Sequence, residues 1–288
     1  MKLLNWIAGL FSPDRPITRN ELSRLSPAAL MRRSRRLARA FFVGDGVVLC
    51  RVLSRYRLYV AADDVGFGVH VMLDGVWETW LTAFMARRIR PGMTVVDVGA
   101  NHGYYTLLFA HLTGPSGRVA AVEPHPRTAA LLRRSLYANG FQPWTTVFER
   151  AATAVDGQAL HLGVPDHEPK NAHVLAEARP GTFAIQGDRL ATLLSDWPGV
   201  DFIKIDVEGA EEACLDGAWP IIERDRPQLV LEFNPLRCAD AAGLLDRLSS
   251  VYGRIGLIER DGTVRQVPRD HLLAPGRTED WMLYFEAR

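Results

Sequence analysis

The segment from Thr94 to Thr106, TVVDVGANHGYYT, constrains this chain more than any other. An apolar strand pattern runs into Asp97 and then a tight turn in which Gly99 and Gly103 bracket Ala100, Asn101 and His102 before a helical pattern begins. A strand that ends in glycines and feeds a helix brings backbone amides and a helix N-terminus close to a ligand. A unit of this kind that holds a nucleotide-like cofactor also needs an acidic residue about 20 positions further on, placed to accept hydrogen bonds from a ribose. Glu123, which closes the apolar run Val119 to Val122, stands there.

The spacing narrows the cofactor. A dinucleotide site uses G-x-G-x-x-G so that the backbone can press against a pyrophosphate, whereas here the middle glycine is missing. Asp97 adds a negative charge at the strand end, which is unwelcome beside a phosphate and suited to the ammonium and sulfonium of S-adenosylmethionine. The residues therefore point first to S-adenosyl-L-methionine and second to NAD; a turn that only packs a helix on a strand is the bland alternative.

With 288 residues, 48% hydrophobic and 23% charged, the chain can bury one substantial core and a small accessory region. Cys50, Cys214 and Cys238 are far apart and show no C-x-x-C spacing, so neither a disulfide framework nor a zinc site is indicated, which fits a cytoplasmic location. The net charge of +1 hides an asymmetry: residues 1–60 hold twelve basic and three acidic side chains, while the other 228 carry 22 and 30. A basic arm on an acidic body docks on anionic lipid, on nucleic acid or on the body itself. Its first piece, Met1 to Phe11, places Leu3, Trp6, Ile7, Leu10 and Phe11 on one stripe, too short to span a bilayer. A peripheral contact with the inner membrane surface and a helix packed on the body are both open for it. The second piece is predicted as a helix starting at Ser26–Pro27, with Leu30, Met31, Ser34, Leu37 and Phe41 along one side and arginines on the rest. No interleaved aromatics suggest base stacking, which argues against nucleic acid.

Residues 46–73 read as strands, at Val47 to Leu53, Arg57 to Ala62 and Val69 to Leu73, and Trp77 to Ile89 reads as a helix carrying Glu78 near the cofactor pocket. From Thr94 onward, strands predicted at 94–98, 118–122, 145–149, 201–206 and 228–233 alternate with helical runs such as 125–139 and 238–249, and candidate strands follow at Val251 to Ile258 and Trp281 to Phe285. This predicts a doubly wound, mostly parallel sheet. The division expected is an N-terminal α+β accessory region at 1–75 and a catalytic domain at 76–288.

The second motif is DFIKIDVEGAE, Asp201 to Glu211, on the expected fourth parallel strand, whose carboxyl end lies beside the first. Asp206 and Glu208 are thus predicted to face the ligand crevice, where a carboxylate can take the proton an alcohol loses during methyl transfer. Lys204, among very few lysines, is expected to serve the reaction, pairing with a carboxylate or steadying the acceptor oxygen; the alternative is a buried stem with an exposed ammonium. The excursion from Gly157 to Gly187 reads as a substrate loop. It contains His167, Glu168 and His173, whose spacing fits no strong metal template, so no metal is expected.

VVDVGANHGYYT, VEPHP, FIKIDVEGAE and PQLVLEFNP together resemble the successive signatures of the FkbM-type family of S-adenosylmethionine-dependent methyltransferases, over roughly residues 76–287. The resemblance implies a class I methyltransferase fold, an α/β Rossmann-like sheet of seven strands, and methylation of a hydroxyl oxygen on a sugar, glycan, lipid-linked or natural-product acceptor. By matching motif it gives Asp97, Gly99, Ala100, Asn101, Gly103 and Glu123 to the cofactor, Asp206 and Glu208 to the reaction centre, and Asn171 and Glu232 to the substrate. Asn234 stands where the family often has a histidine, which puts a proton-relay role at that position in doubt. An NAD-linked oxidoreductase, or a non-catalytic cofactor-binding module that docks a partner through its basic arm, are the competing readings.

Overall fold

The computed structural model describes residues 15–165, 172–175, 177–274, 276 and 278–287. The stripe at Met1 to Phe11 therefore lies outside the described residues. Two short helices come first, α1 (Arg19–Leu22) and α2 (Pro27–Leu37). Thr18 and Glu21 form a reciprocal capping box on α1, satisfying N–H groups that have no partner within the helix. Ser26 caps α2 and Pro27 sits in its first turn, as predicted, with Leu30 and Ser34 buried and Arg32, Arg35 and Arg36 exposed. Phe41 does not extend that helix. It lies 62% exposed in β1 (Arg39–Phe42), because Ala38 leaves the helical backbone with a ψ of 136°.

β1 pairs antiparallel with β2 (Val47–Val52), and β2 with β3 (Tyr56–Ala61). The strand expected at Val69 to Leu73 is instead a helix, α3 (Gly68–Asp74). Its β-branched composition suggested a strand, but the Asp64 carboxylate accepts the N–H groups of Gly66 and Phe67 at 3.0 and 2.9 Å and turns the chain just before it. Local turn chemistry overrides a weak strand preference here. Helix α4 (Thr79–Arg88) follows, inside the predicted range.

The alternation predicted from Thr94 is then found. β4 (Thr94–Val98), α5 (Tyr104–Thr113), β5 (Arg118–Val122), α6 (Pro126–Asn139) and β6 (Thr145–Phe148) form the first half. The described part of the excursion read as a loop holds β8 (Gln158–Gly163), β9 (His173–Leu175) and β10 (Phe183–Asp188), which join β7 (Ala151–Ala152) in a second sheet of order β7-β10-β8-β9. After α7 (Leu190–Leu193) come β11 (Phe202–Ile205), α8 (Glu211–Asp225), β12 (Gln228–Phe233) and α9 (Ala241–Tyr252), the last of which takes the start of the strand expected at Val251. β13 (Ile255–Ile258), β14 (Val264–Val267), α10 (Arg269–Leu272) and β15 (Trp281–Phe285) complete the chain.

The main sheet runs β14-β13-β15-β12-β11-β4-β5-β6. Its strands from β12 to β6 are parallel, and β15 is inserted antiparallel between β12 and β13. This is the class I methyltransferase arrangement, with β14 as an edge strand beyond the seven expected. The two faces are set by strand alternation. Val95 of β4 and Phe202 of β11 belong to one core layer, with Leu108 of α5, whereas Val96, Val98, Ile203 and Ile205 belong to the other, with Leu215 and Ile222 of α8. Helices leaving β4 and β11 thus cover opposite faces, which opens a crevice between the carboxyl ends of these two neighbouring strands. Ile17, Leu22 and Leu30 are fully buried in the same layer as Leu108, so the described part of the basic arm packs on the body. Among the described residues no helix is long and apolar enough to cross a membrane.

Candidate active site

The register of β4 against β11 places Asp97 opposite Lys204, and both side chains fall on the α5 face by alternation. The expectation left open for Lys204 resolves as burial with pairing: it is 1% exposed, its Nζ donates to Asp206 Oδ2 at 2.9 Å, and Asp97 Oδ1 lies 3.9 Å away. Burial works to lower its pKa, but Asp206 and then Asp97 outweigh this and hold it above the ordinary lysine value. Asp97 itself is fully buried and accepts the Thr106 hydroxyl at 2.6 Å; burial pushes its pKa up to about 6 against the pull of Lys204. Asp97 is buried directly behind the cleft lining, beside Lys204.

The glycines explain the loops. Gly99 has φ 76°, and a Cβ there would collide with the Asp206 carbonyl, so its bareness first lets the β4 and β11 loops cross. Gly103, at φ 94°, is packed against Leu132 of α6 and, like Asp97, stands behind the lining. Between them, Asn101 adopts φ 51°, donates its backbone N–H to Glu123 Oε2 at 2.8 Å and accepts the His102 N–H on its side chain at 2.8 Å. The His125 N–H donates to Glu123 Oε1 at 2.9 Å. Glu123 is therefore fixed with one donor on each oxygen at the cleft wall, and burial raises its pKa to about 7 despite them.

Glu78 joins the same cleft from the start of α4. The Tyr105 hydroxyl donates to its Oε2 at 2.9 Å, and the Tyr105 ring lies 5.2 Å from Lys204 Nζ. Burial, then the neighbouring Asp206, raises the Glu78 pKa. Glu78 (φ 38°), Asn101 and Glu208 (φ 49°) are non-glycine residues held in the left-handed region, and all three line this cleft. Such backbone costs on the order of 1–3 kcal/mol per residue and persists where the surroundings demand a particular side chain at that point.

Beyond Asp206 the wall is acidic. Glu211 accepts the N–H groups of Val207 and Gly209 at 3.3 and 3.1 Å and so shapes the loop that turns Glu208 inward. Carboxylate oxygens of Asp206, Glu208 and Glu232 come within 4.8 Å of one another, a set the sequence did not lead us to expect as a metal candidate. Arg237 lies among them: its Nη1 is 3.0 Å from Glu208 Oε2 and 3.4 Å from Glu232 Oε2, and its Nη2 is 3.4 Å from Asp280 Oδ1. Burial and then Asp206 push Glu208 up to about 7, and burial with Asp206 and Glu208 raises Glu232 further. Asn234, where the family often has histidine, is buried and donates to Asp280 Oδ1 at 2.8 Å; it anchors a neighbour rather than relaying a proton.

The structure thus brings Glu78, Gly99, Ala100, Asn101, Glu123, Lys204, Asp206, Glu208 and Glu232 to one cleft. Asn171, His167 and Glu168 lie outside the described residues, and His173 is an exposed residue of β9. Leu162 and Val174 of the second sheet with the adjoining Ala172, and Phe67 and Trp77 on either side of α3, close further walls. Sequence reading missed Arg237, Asp280 and Tyr105. Tyr105 had a signal, an aromatic just past the glycine turn; Arg237 and Asp280 carried none that distinguishes them from surface charges.

A sequence model described as the methyltransferase FkbM domain matches residues 97–253. A protein-L-isoaspartate O-methyltransferase from Aeropyrum pernix is 37% identical over 91 residues, 32% of this chain and 32% of that protein. Protein-L-isoaspartate O-methyltransferase 1 of Arabidopsis thaliana is 29% identical over 141 residues, 45% of this chain and 60% of its own length. The chain therefore spans less than two thirds of either curated relative. A crystal structure of methyltransferase FkbM from Methylobacillus flagellatus aligns with a TM-score of 0.41 at 20% identity, covering 72% of this chain and 53% of that one.

Proposed function

The chain belongs to the FkbM family of methyltransferases, and from that premise we propose that it transfers the methyl group of S-adenosylmethionine to a hydroxyl oxygen of a neutral polar acceptor such as a sugar or glycan. The carrying observation is Asp206, hydrogen-bonded to buried Lys204 and with its side chain 27% exposed in the cleft. The donor set suits this cofactor: Glu78, Glu123 and Asp206 favour ammonium, sulfonium and ribose hydroxyls and would repel a pyrophosphate. When bound, S-adenosylmethionine would supply an electrophilic methyl group, with the thioether as the leaving group. Glu123 would accept hydrogen bonds from the ribose hydroxyls, and Glu78 would complement the cationic centre. Lys204 holds Asp206 aimed, so that Asp206 takes the acceptor proton as the oxygen gains its methyl and passes it to solvent. Holding the hydroxyl in line contributes much of the remaining acceleration.

The curated relatives are named for L-isoaspartate, a carboxylate acceptor. Here Asp206 and Asp280 line the acceptor end with Glu208 and Glu232, whose raised pKa values favour neutral, hydrogen-bonding forms, which supports a neutral hydroxyl. Radiolabelled methyl transfer onto fractionated glycans, lipids, metabolites and an isoaspartyl peptide tests this. Label in a hydroxyl-bearing fraction is expected; base-labile label on the peptide alone would sink the reading.

The cofactor role given to Glu123 predicts a pH dependence. Its pKa in the free protein, about 7, is raised above the ordinary carboxylate value by burial, so the group gains a proton as pH falls through 7. Asp97 raises and Lys204 lowers that pKa. Ribose hydroxyls donate best to the ionised form, so affinity for S-adenosylmethionine should weaken by about tenfold in all between about pH 8 and about pH 6. Glu123→Gln should bind more weakly at the upper pH and show a flatter profile. Calorimetric titration at both pH values checks this; a wild-type affinity that does not change with pH counts against it.

A further inference from the structure

We propose that Arg237 is the resident cation of the acceptor end, occupying among Glu208, Glu232 and Asp280 the place that a divalent ion takes in a three-carboxylate site. The three carboxylates come from the loop after β11, the end of β12 and the segment before β15, and one guanidinium reaches all of them at 3.0, 3.4 and 3.4 Å. Hard cations such as magnesium take carboxylate oxygens gathered as closely as those of Asp206, Glu208 and Glu232. An ion seated there and the Arg237 guanidinium would compete for the same oxygens of Glu208 and Glu232.

The arginine is built in rather than draped across. Its N–H donates to the Asn234 carbonyl at 3.0 Å, and Asn234 is itself tied to Asp280 at 2.8 Å. Its stem lies over Gly209, where a Cβ would stand 3.8 Å from Arg237 Cβ and Cδ. A planar guanidinium offers five donors in a fixed fork and serves three carboxylates from one position, where a lysine has three donors on one point charge. Arg237 is therefore a positioning residue: it spaces Glu208 and Glu232 at the wall where the acceptor binds and occupies carboxylate oxygens that a metal would need. This rests on the acceptor end lying here, but its test reads metal binding and needs no acceptor.

The test is manganese binding by the full chain, followed by electron paramagnetic resonance of the free ion after treatment with chelator. Wild-type protein should leave the free-ion signal intact. Arg237→Gln should quench it, with affinity at least about tenfold higher than wild type, and adding Glu232→Gln to that variant should restore the signal. Arg237→Lys, which keeps the charge, should stay silent. Titration with S-adenosylmethionine confirms that each variant is folded. Wild-type binding of manganese that is lost in Glu232→Gln overturns the proposal and remains decisive even if Arg237→Gln fails to fold. A folded Arg237→Gln that binds no manganese overturns it as well.

Discussion

Asp206→Asn is expected to lower methyl-transfer turnover by about 10²–10⁴-fold, the range of a lost general base, while affinity for S-adenosylmethionine stays within a few fold. The separation follows from where the residue sits. The amide keeps the volume of the carboxylate and still offers an oxygen to Lys204, which in the native protein donates to Asp206 Oδ2 at 2.9 Å. Asp97, 3.9 Å from the ammonium, continues to balance its charge. The cofactor wall at Glu123 and Asn101 hangs on backbone donors of the β4 and β5 loops and is untouched. The amide has no basic lone pair for the acceptor proton. Single-turnover transfer of labelled methyl, beside calorimetric cofactor titration, reads both quantities; near-normal turnover would remove Asp206 from the reaction, and a matching loss of cofactor affinity would recast it as a binding residue.

Lys204→Met is expected to destabilise the fold by about 3–5 kcal/mol, because it leaves two carboxylates at the sheet ends without their cation. Methionine fills a similar volume and is flexible, so packing loss is a minor part. The sign of the pH dependence distinguishes this from a packing defect. Asp97 has a folded-state pKa raised to about 6 by burial, above the unfolded value of 3.8, so its contribution is fully present below 3.8 and is lost as pH rises through the folded value. Without Lys204 that folded value rises further and the loss extends to higher pH. The deficit of the variant should therefore be larger at about pH 8 than at about pH 5. Adding Asp97→Asn should recover part of it. Urea denaturation of the single and double variants at both pH values measures this; a small deficit independent of pH would show that the buried pair matters little.

What the sequence made legible is what alternation and spacing carry. The strands β4, β5 and β12 and the helix α6 follow from short apolar runs punctuated by turns, and the strand order follows from their alternation with helices. Asp206, Glu208 and Glu123 were legible because each ends an apolar run, and the carboxyl ends of parallel strands are where this sheet opens. Other features needed three dimensions. Arg237 and Asp280 meet only because β15 inserts antiparallel beside β12 and brings the segment before Trp281 to the end of Phe233. The inserted sheet was read as a loop because β10 is mostly exposed and shows little apolar alternation. Gly99 and Gly103 were read as making room for a ligand, whereas their missing side chains first make room for the Asp206 carbonyl and for Leu132.

The central claim is that the crevice between β4 and β11 holds S-adenosylmethionine against Glu123. Calorimetric titration of the full chain with S-adenosylmethionine, S-adenosylhomocysteine and NAD tests it most directly. The structure predicts saturable binding of the first two, weakened by Glu123→Gln, and no binding of NAD. Binding of NAD without S-adenosylmethionine, or S-adenosylmethionine affinity indifferent to Glu123→Gln, would contradict it.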